Sequence, residues 1–182
     1  MRAVTSARND RDQCPLTTHC RPSVVVSFGA MGAMVELRET LRIVGQTMRD
    51  AQDDWWVIAG AAAALHGVEQ PEVGDVDVLA SDRDVSAVLE RLGVTPTPPS
   101  AHPLFRSRVL GQWSAAPLMI EFMSGFEYRS DDGWHPMTPK TRSEVVVEGV
   151  SVFVPSPVEL AAILTAIGRP KDLIRARRLL RR

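Results

Sequence analysis

Residues 55–81 read WWVIAGAAAALHGVEQPEVGDVDVLAS, and the reading of the fold turns on them. "WWVIAG" is a short, continuously apolar run ending at Gly60. "AAAALHG" is a small-residue helical segment closed by Gly67, and "DVDVLAS" alternates acidic with apolar side chains. This predicts strand, turn, helix and second strand. On that second strand the period of two turns Asp75 and Asp77 to one face and Val76 and Val78 to the other.

Upstream, Leu37, Leu41, Val44 and Met48 recur at helical spacing between residue 34 and about residue 52, predicting an amphipathic helix that lies on a sheet. Downstream, Ser81 opens a helix to about Leu92, with Asp82 and Asp84 in the first turn where the helix dipole favours acids. A Pro-rich loop, "TPTPPSAHP", leads to "LFRSRVLG", read as one strand, and then to "PLMIEFMSG", an apolar strand interrupted by Glu121. "SEVVVEGVSVFVPS" predicts two strands joined at Glu148–Gly149. Ser156, Pro157 and Glu159 supply an N-cap, a first-turn proline and a capping-box acid for a helix to about Ile167. A last, basic helix follows Pro170. The whole is an α/β (α+β) chain: a small mixed sheet with flanking helices and a helical C-terminal end. The expected division is a tail over 1–33, a core over 34–155, and a helical segment over 156–182 packed on the core.

Composition narrows the function. At 182 residues and 45% hydrophobic, the chain can bury one ordinary core. Lys plus Arg number 21 against 22 Asp plus Glu, so a general electrostatic attraction to nucleic acid is excluded for the molecule as a whole. Basic residues concentrate after Arg169, where Arg175, Arg177, Arg178, Arg181 and Arg182 read as a solvated helix face that an RNA acceptor would turn to phosphate contact. Cys14 and Cys20, with His19 between them, lack the spacing of a disulfide framework or a zinc site. No apolar run approaches the roughly 20 residues of a membrane span, and the expected location is cytoplasmic with no membrane partner.

Like charges at i and i+2 on a strand repel unless a cation sits between them. Mg²⁺ prefers oxygen ligands and is held by one or two carboxylates together with substrate phosphates, which suits Asp75 and Asp77. Glu121, a lone charge in an apolar strand, asks for a partner or a task, either as a third ligand or as a general base. Gly60 lets backbone approach a phosphate at the strand-to-helix turn. His66 reads as packing or capping the helix end, Trp55 and Trp56 as core and rim, and "FEYRSDDGWHP" (126–136) as a polar, aromatic-bearing loop beside an acceptor.

Taken together, residues 57–81, "MIEFMSG" (119–125) and "VPSPVELAAILTAIGRPKDLIRARRLL" (154–180) resemble the nucleotidyltransferase superfamily of polymerase-beta-like fold. Within it, they are most similar to the small bacterial group that includes AbiEii-type abortive-infection toxins and antibiotic nucleotidyltransferases. The resemblance covers about residues 35–182. It implies Asp75, Asp77 and Glu121 as metal-binding and catalytic carboxylates for Mg²⁺ (or Mn²⁺). It further implies Gly60 and Ala61 at the phosphate turn, and Arg169 and Lys171 of "GRPKD" on the phosphates of an NTP substrate. Family members carry Gly-Ser or Gly-Gly where this chain has Gly60–Ala61, and Asp where it has Glu121. The implied reaction moves an NMP group to a hydroxyl of a small molecule, RNA such as tRNA, or protein. A toxin of this kind would have a cognate antitoxin partner. Two other readings use the same residues: a degenerate member that binds nucleotide or a partner without turnover, and a metal-assisted phosphohydrolase.

Overall fold

The computed structural model describes residues 28–68, 73–98 and 102–181. Most of the stretch expected as an N-terminal tail lies outside the described residues. The first helix, α1, already begins at Phe28 and runs to Thr47, earlier at both ends than the periodicity suggested. It stops short of Gln52 because the chain turns at 48–50 and the backbone amides of Gln52 and Asp53 are taken by the Asp84 carboxylate, at 3.0 and 2.9 Å. The four periodic residues, Leu37, Leu41, Val44 and Met48, are all buried.

The following elements are β1 (Trp56–Val57), α2 (Ala59–Leu65), β2 (Asp75–Leu79) and α3 (Asp82–Leu92). Ser81 caps α3 by accepting from the Asp84 amide, as its position predicts. "LFRSRVLG" is not one strand. It divides into β3 (Phe105–Arg106) and β4 (Val109–Trp113), which join different sheets. β5 (Met119–Ser124) is followed by β6 (Glu127–Ser130) and β7 (Gly133–Pro136), so the expected loop over 126–136 is a hairpin. Its Glu127, Tyr128, Arg129 and Trp134 face cross-strand partners, an alternation hidden in a mostly polar sequence. β8 (Ser143–Val147) and β9 (Val150–Val154) pair in register around Glu148–Gly149, both at positive φ, the two-residue turn that twisted strands favour. α4 (Pro157–Ile167) and α5 (Pro170–Leu179) close the chain.

The main sheet has the order β1-β2-β5-β4, with β2 and β5 parallel and both outer pairs antiparallel. Its mixed character matches the expected α/β class. Val76, Val78, Ile120 and Phe122 are fully buried at its centre, and α1, α2 and α3 contribute Val44, Ala62 and Leu89 to the same core. Burying such side chains contributes roughly 1.5–3 kcal/mol each, which holds the two central strands in place. The β8–β9 hairpin packs on α1 and β1, and α4 and α5 pack on each other and on α2. Glu159 does not reach back to its own N-cap. Its carboxylate accepts instead from the amides of Lys140 and Thr141, both at 2.7 Å, and ties the preceding loop to α4.

Candidate active site

The alternation on β2 does what the sequence predicts: Val76 and Val78 go into the core, while Asp75 is exposed and Asp77 half-buried on the opposite face. Parallel pairing then sets Asp77 opposite Glu121 of β5, and antiparallel pairing sets Glu121 opposite Gln112 of β4. The Gln112 side-chain amide donates to Glu121 Oε1 at 2.7 Å. An acid, an acid and an amide therefore form one row across three strands.

Asp75, Asp77 and Glu121 line a cleft of about 710 Å³ together with Gly60, Arg169, Lys171 and Arg175. Of the seven residues expected at the site, Asp75, Asp77, Glu121, Gly60, Arg169 and Lys171 line the cleft and Ala61 does not. Ala61 is fully buried and its methyl belongs to the core, because the helix starts two residues earlier than the turn reading assumed. Gly60 accordingly lies inside α2 and not at the end of a strand. The residue before it, Ala59, takes a left-handed φ of +53° to make the entry.

Electrostatics mark Asp77. Burial first, then the carboxylates of Asp75 and Glu121, push its carboxyl up to about 7, against the pull of Arg169 and Lys171 in the other direction. The basic side is built by α5. Asp172, fully buried, accepts from Arg169 Nε at 2.5 Å and from Arg169 Nη2 at 3.2 Å, and lies 3.6 Å from Arg175 Nη1. Asp172 sits in the first turn of α5, and its partners are the two arginines. The Arg169 guanidinium also lies over the Phe105 ring, 4.8 Å from its centroid, and Phe105 stacks between His102 and Phe126. This aromatic ladder gave no signal in the sequence, because its three members come from one short strand and two separate loops. His66 does serve the structure: its Nε2 lies 2.7 Å from the Pro155 carbonyl.

Among the described residues, no group of three or more His, Cys, Asp or Glu side chains is arranged to hold a metal ion by itself. The donor set nevertheless fits a hard cation. Asp75, Asp77 and Glu121 offer only oxygens, and beside burial the charges of Asp75 and Glu121 help to raise Asp77. Mg²⁺ needs one or two carboxylates, with water and phosphate oxygens filling the remaining positions.

A scan of protein-family models and a search of curated proteins give no match. Solved structures do. The chain is similar to a Thermotoga maritima protein assigned to the nucleotidyltransferases, at 22% identity and a TM-score of 0.59 over 78% of this chain and 91% of that one. It is similar to an antigenic nucleotidyltransferase-like protein from Paracoccidioides brasiliensis, at 14% identity and 0.53 over 81% and 75%. It is also similar to the lincosamide antibiotic adenylyltransferase LnuA in its lincomycin-bound form, at 16% identity and 0.50 over 79% and 95%. The fold is therefore the nucleotidyltransferase fold. Among the described residues no helix is long and apolar enough to cross a membrane.

Proposed function

We propose that this protein transfers a nucleotidyl group from an NTP to a hydroxyl of an acceptor. The observation that supports it is the in-register pair of Asp77 and Glu121, joined by Asp75 and faced across one cleft by Arg169 and Lys171. An acidic floor opposite a basic wall suits a triphosphate carried with a divalent cation.

Asp75, Asp77 and Glu121 would hold Mg²⁺ or Mn²⁺. When bound, the ion supplies charge compensation for the triphosphate and for the attacking and leaving oxygens. Lys171 and Arg169 bind the β- and γ-phosphates, and the Arg169 fork is kept in orientation by Asp172 and Phe105. The acceptor oxygen attacks the α-phosphorus, and a new P–O bond forms as the bond to the bridging oxygen breaks and pyrophosphate departs. Glu121 takes the hydroxyl proton, its carboxylate aimed by Gln112.

The acceptor that fits best is a small hydroxylated molecule, because Leu110, Met123, Phe126, Met137 and Ile163 give the cleft an apolar wall. A tRNA acceptor would instead engage Arg177, Arg178 and Arg181, exposed on and just beyond α5, and its affinity would fall steeply with salt. A toxin role would add an antitoxin that covers the cleft. Nucleotide binding without turnover draws on one observation, that Glu121 is already engaged by Gln112.

Calorimetric titration of each of the four NTPs with Mg²⁺ tests the reading, with the Asp75→Ala/Asp77→Ala double variant as control. Binding that needs the metal and disappears in the double variant supports the site and names the base. Binding of none of the four overturns it.

A further inference from the structure

We infer that Arg175 is a phosphate-binding residue of the same cleft, seated over Gly60 and held there by the buried Asp172 carboxylate. This rests on the nucleotidyl-transfer reading above.

In the sequence Arg175 belongs to a run of arginines that reads as a solvated face. The structure separates it from the run. Arg177, Arg178 and Arg181 are exposed, whereas the Arg175 side chain is only 12% exposed and lines the cleft with Asp75, Asp77 and Glu121. A Cβ placed on Gly60 would lie 3.0 Å from Arg175 Nη2, 3.2 Å from Cζ and 3.4 Å from Nη1. Three guanidinium atoms at nearly equal distance mean that the flat face of the group rests on the backbone there. The glycine thus lets an arginine settle where a Cβ would press it back by a few tenths of an ångström, which differs from the simple close approach of phosphate that the sequence suggested.

The location matters because other sources of phosphate binding at this turn are weak. α2 has only seven residues, Ala61 offers no hydroxyl, and its methyl points into the core. A guanidinium supplies what they lack: a permanent charge and a planar fork of donors matched to phosphate oxygens. Asp172 positions it. One buried carboxylate braces Arg169 by two hydrogen bonds and stands 3.6 Å from Arg175, so it helps to place both cations before ligand arrives. Arg169 and Arg175 then approach a polyphosphate from the same helix, with Lys171 beside them.

Inorganic tripolyphosphate with Mg²⁺, which carries no base, is the probe. It is titrated into the wild type and into Arg175→Lys, Gly60→Ala, Asp172→Asn and Arg177→Ala. Arg175→Lys keeps the charge but loses the fork, and is expected to weaken tripolyphosphate about tenfold or more. Gly60→Ala pushes the guanidinium off the turn and is expected to do the same, while Arg177→Ala stays within about twofold of wild type. Asp172→Asn should weaken binding at least as much as Arg175→Lys, because it releases Arg169 as well as Arg175, and adding Arg175→Lys to it should then cost less than it does in the wild type. A purely structural pair would lower the melting temperature and leave the affinity of the folded protein unchanged. Wild-type affinity in folded Arg175→Lys and Gly60→Ala overturns the inference and leaves the transfer reading standing. Absence of binding of tripolyphosphate and of all four NTPs to the wild type overturns both.

Discussion

Asp77 and Glu121 stand directly opposite each other on the two central, parallel strands of the sheet. Neither is near the other in sequence, and the pairing of β2 with β5 alone brings them together. Two carboxylates in that register repel, and the transfer reading makes that repulsion the source of a cation site.

Burial of Asp77, with this repulsion added, has a pH signature. The Asp77 carboxyl is raised from an ordinary value of 3.8 to about 7 in the folded chain. Between those values the folded state holds a proton that the unfolded state releases, so stability falls as pH rises through this window and stays lower above it. Asp77→Asn removes the effect. Its stability should match the wild type near pH 4 and exceed it above about pH 7, by an amount on the order of a few kcal/mol at most. Urea unfolding across this range measures the difference, and parallel curves for the two proteins would refute it.

Glu121→Gln keeps a hydrogen-bonding side chain beside Gln112 but cannot accept a proton. Pyrophosphate release with a productive acceptor should fall about a hundredfold or more, with the thermal midpoint unchanged or higher because one like charge is gone. An unchanged rate would place the base elsewhere.

Asp84 shows the opposite electrostatic sign. Burial works against its ionisation, but the amides of Gln52 and Asp53, the Ser81 hydroxyl and Arg83 outweigh it and hold the carboxyl below its usual range. Its contribution is present above the ordinary carboxylate pKa and is lost as pH falls through the lowered folded value. Asp84→Ala leaves two amides without their acceptor and should cost about 2–4 kcal/mol in denaturant unfolding at neutral pH. A loss under about 0.5 kcal/mol would show that water replaces it.

Gly111 faces α3 from β4. A Cβ there would lie 2.2 Å from Leu89 Cδ2, and Leu89 is 1% exposed with little room to move. Gly111→Ala should therefore destabilise by roughly 1–3 kcal/mol, and Gly111→Ala/Leu89→Ala should recover part of the overpacking term. Additive losses would mean that the helix shifts as a body.

How much of this was legible depended on whether the signal was local. The α1 stripe, the alternation of β2, the Ser81 and Ser156 caps and the Glu148–Gly149 turn are set by neighbours in sequence, and all appear where the pattern puts them. The β3–β4 division and the 126–136 hairpin were not legible, because their pairing is decided across sheets and their strands are too polar to show a period. At the site, Asp75, Asp77 and Glu121 stood out as charges among apolar residues. Arg175 did not, since a basic residue in a basic helix looks solvated until its partner Asp172 and the bare backbone of Gly60 are placed beside it.

The strand order carries a last consequence, for the path to the native state. Because β2 and β5 are neighbours in the sheet but are separated in the chain by α3, β3 and β4, their contact closes a long loop, and such contacts are costly in entropy and slow to form. The α4–α5 pair that carries Arg169, Lys171 and Arg175 is joined by a short connection, so its own contacts are local. The acids therefore meet only when the barrier-limiting, long-range pairing is made, and a nascent chain released before α5 is complete would carry their repulsion without the arginines and lysine that answer it.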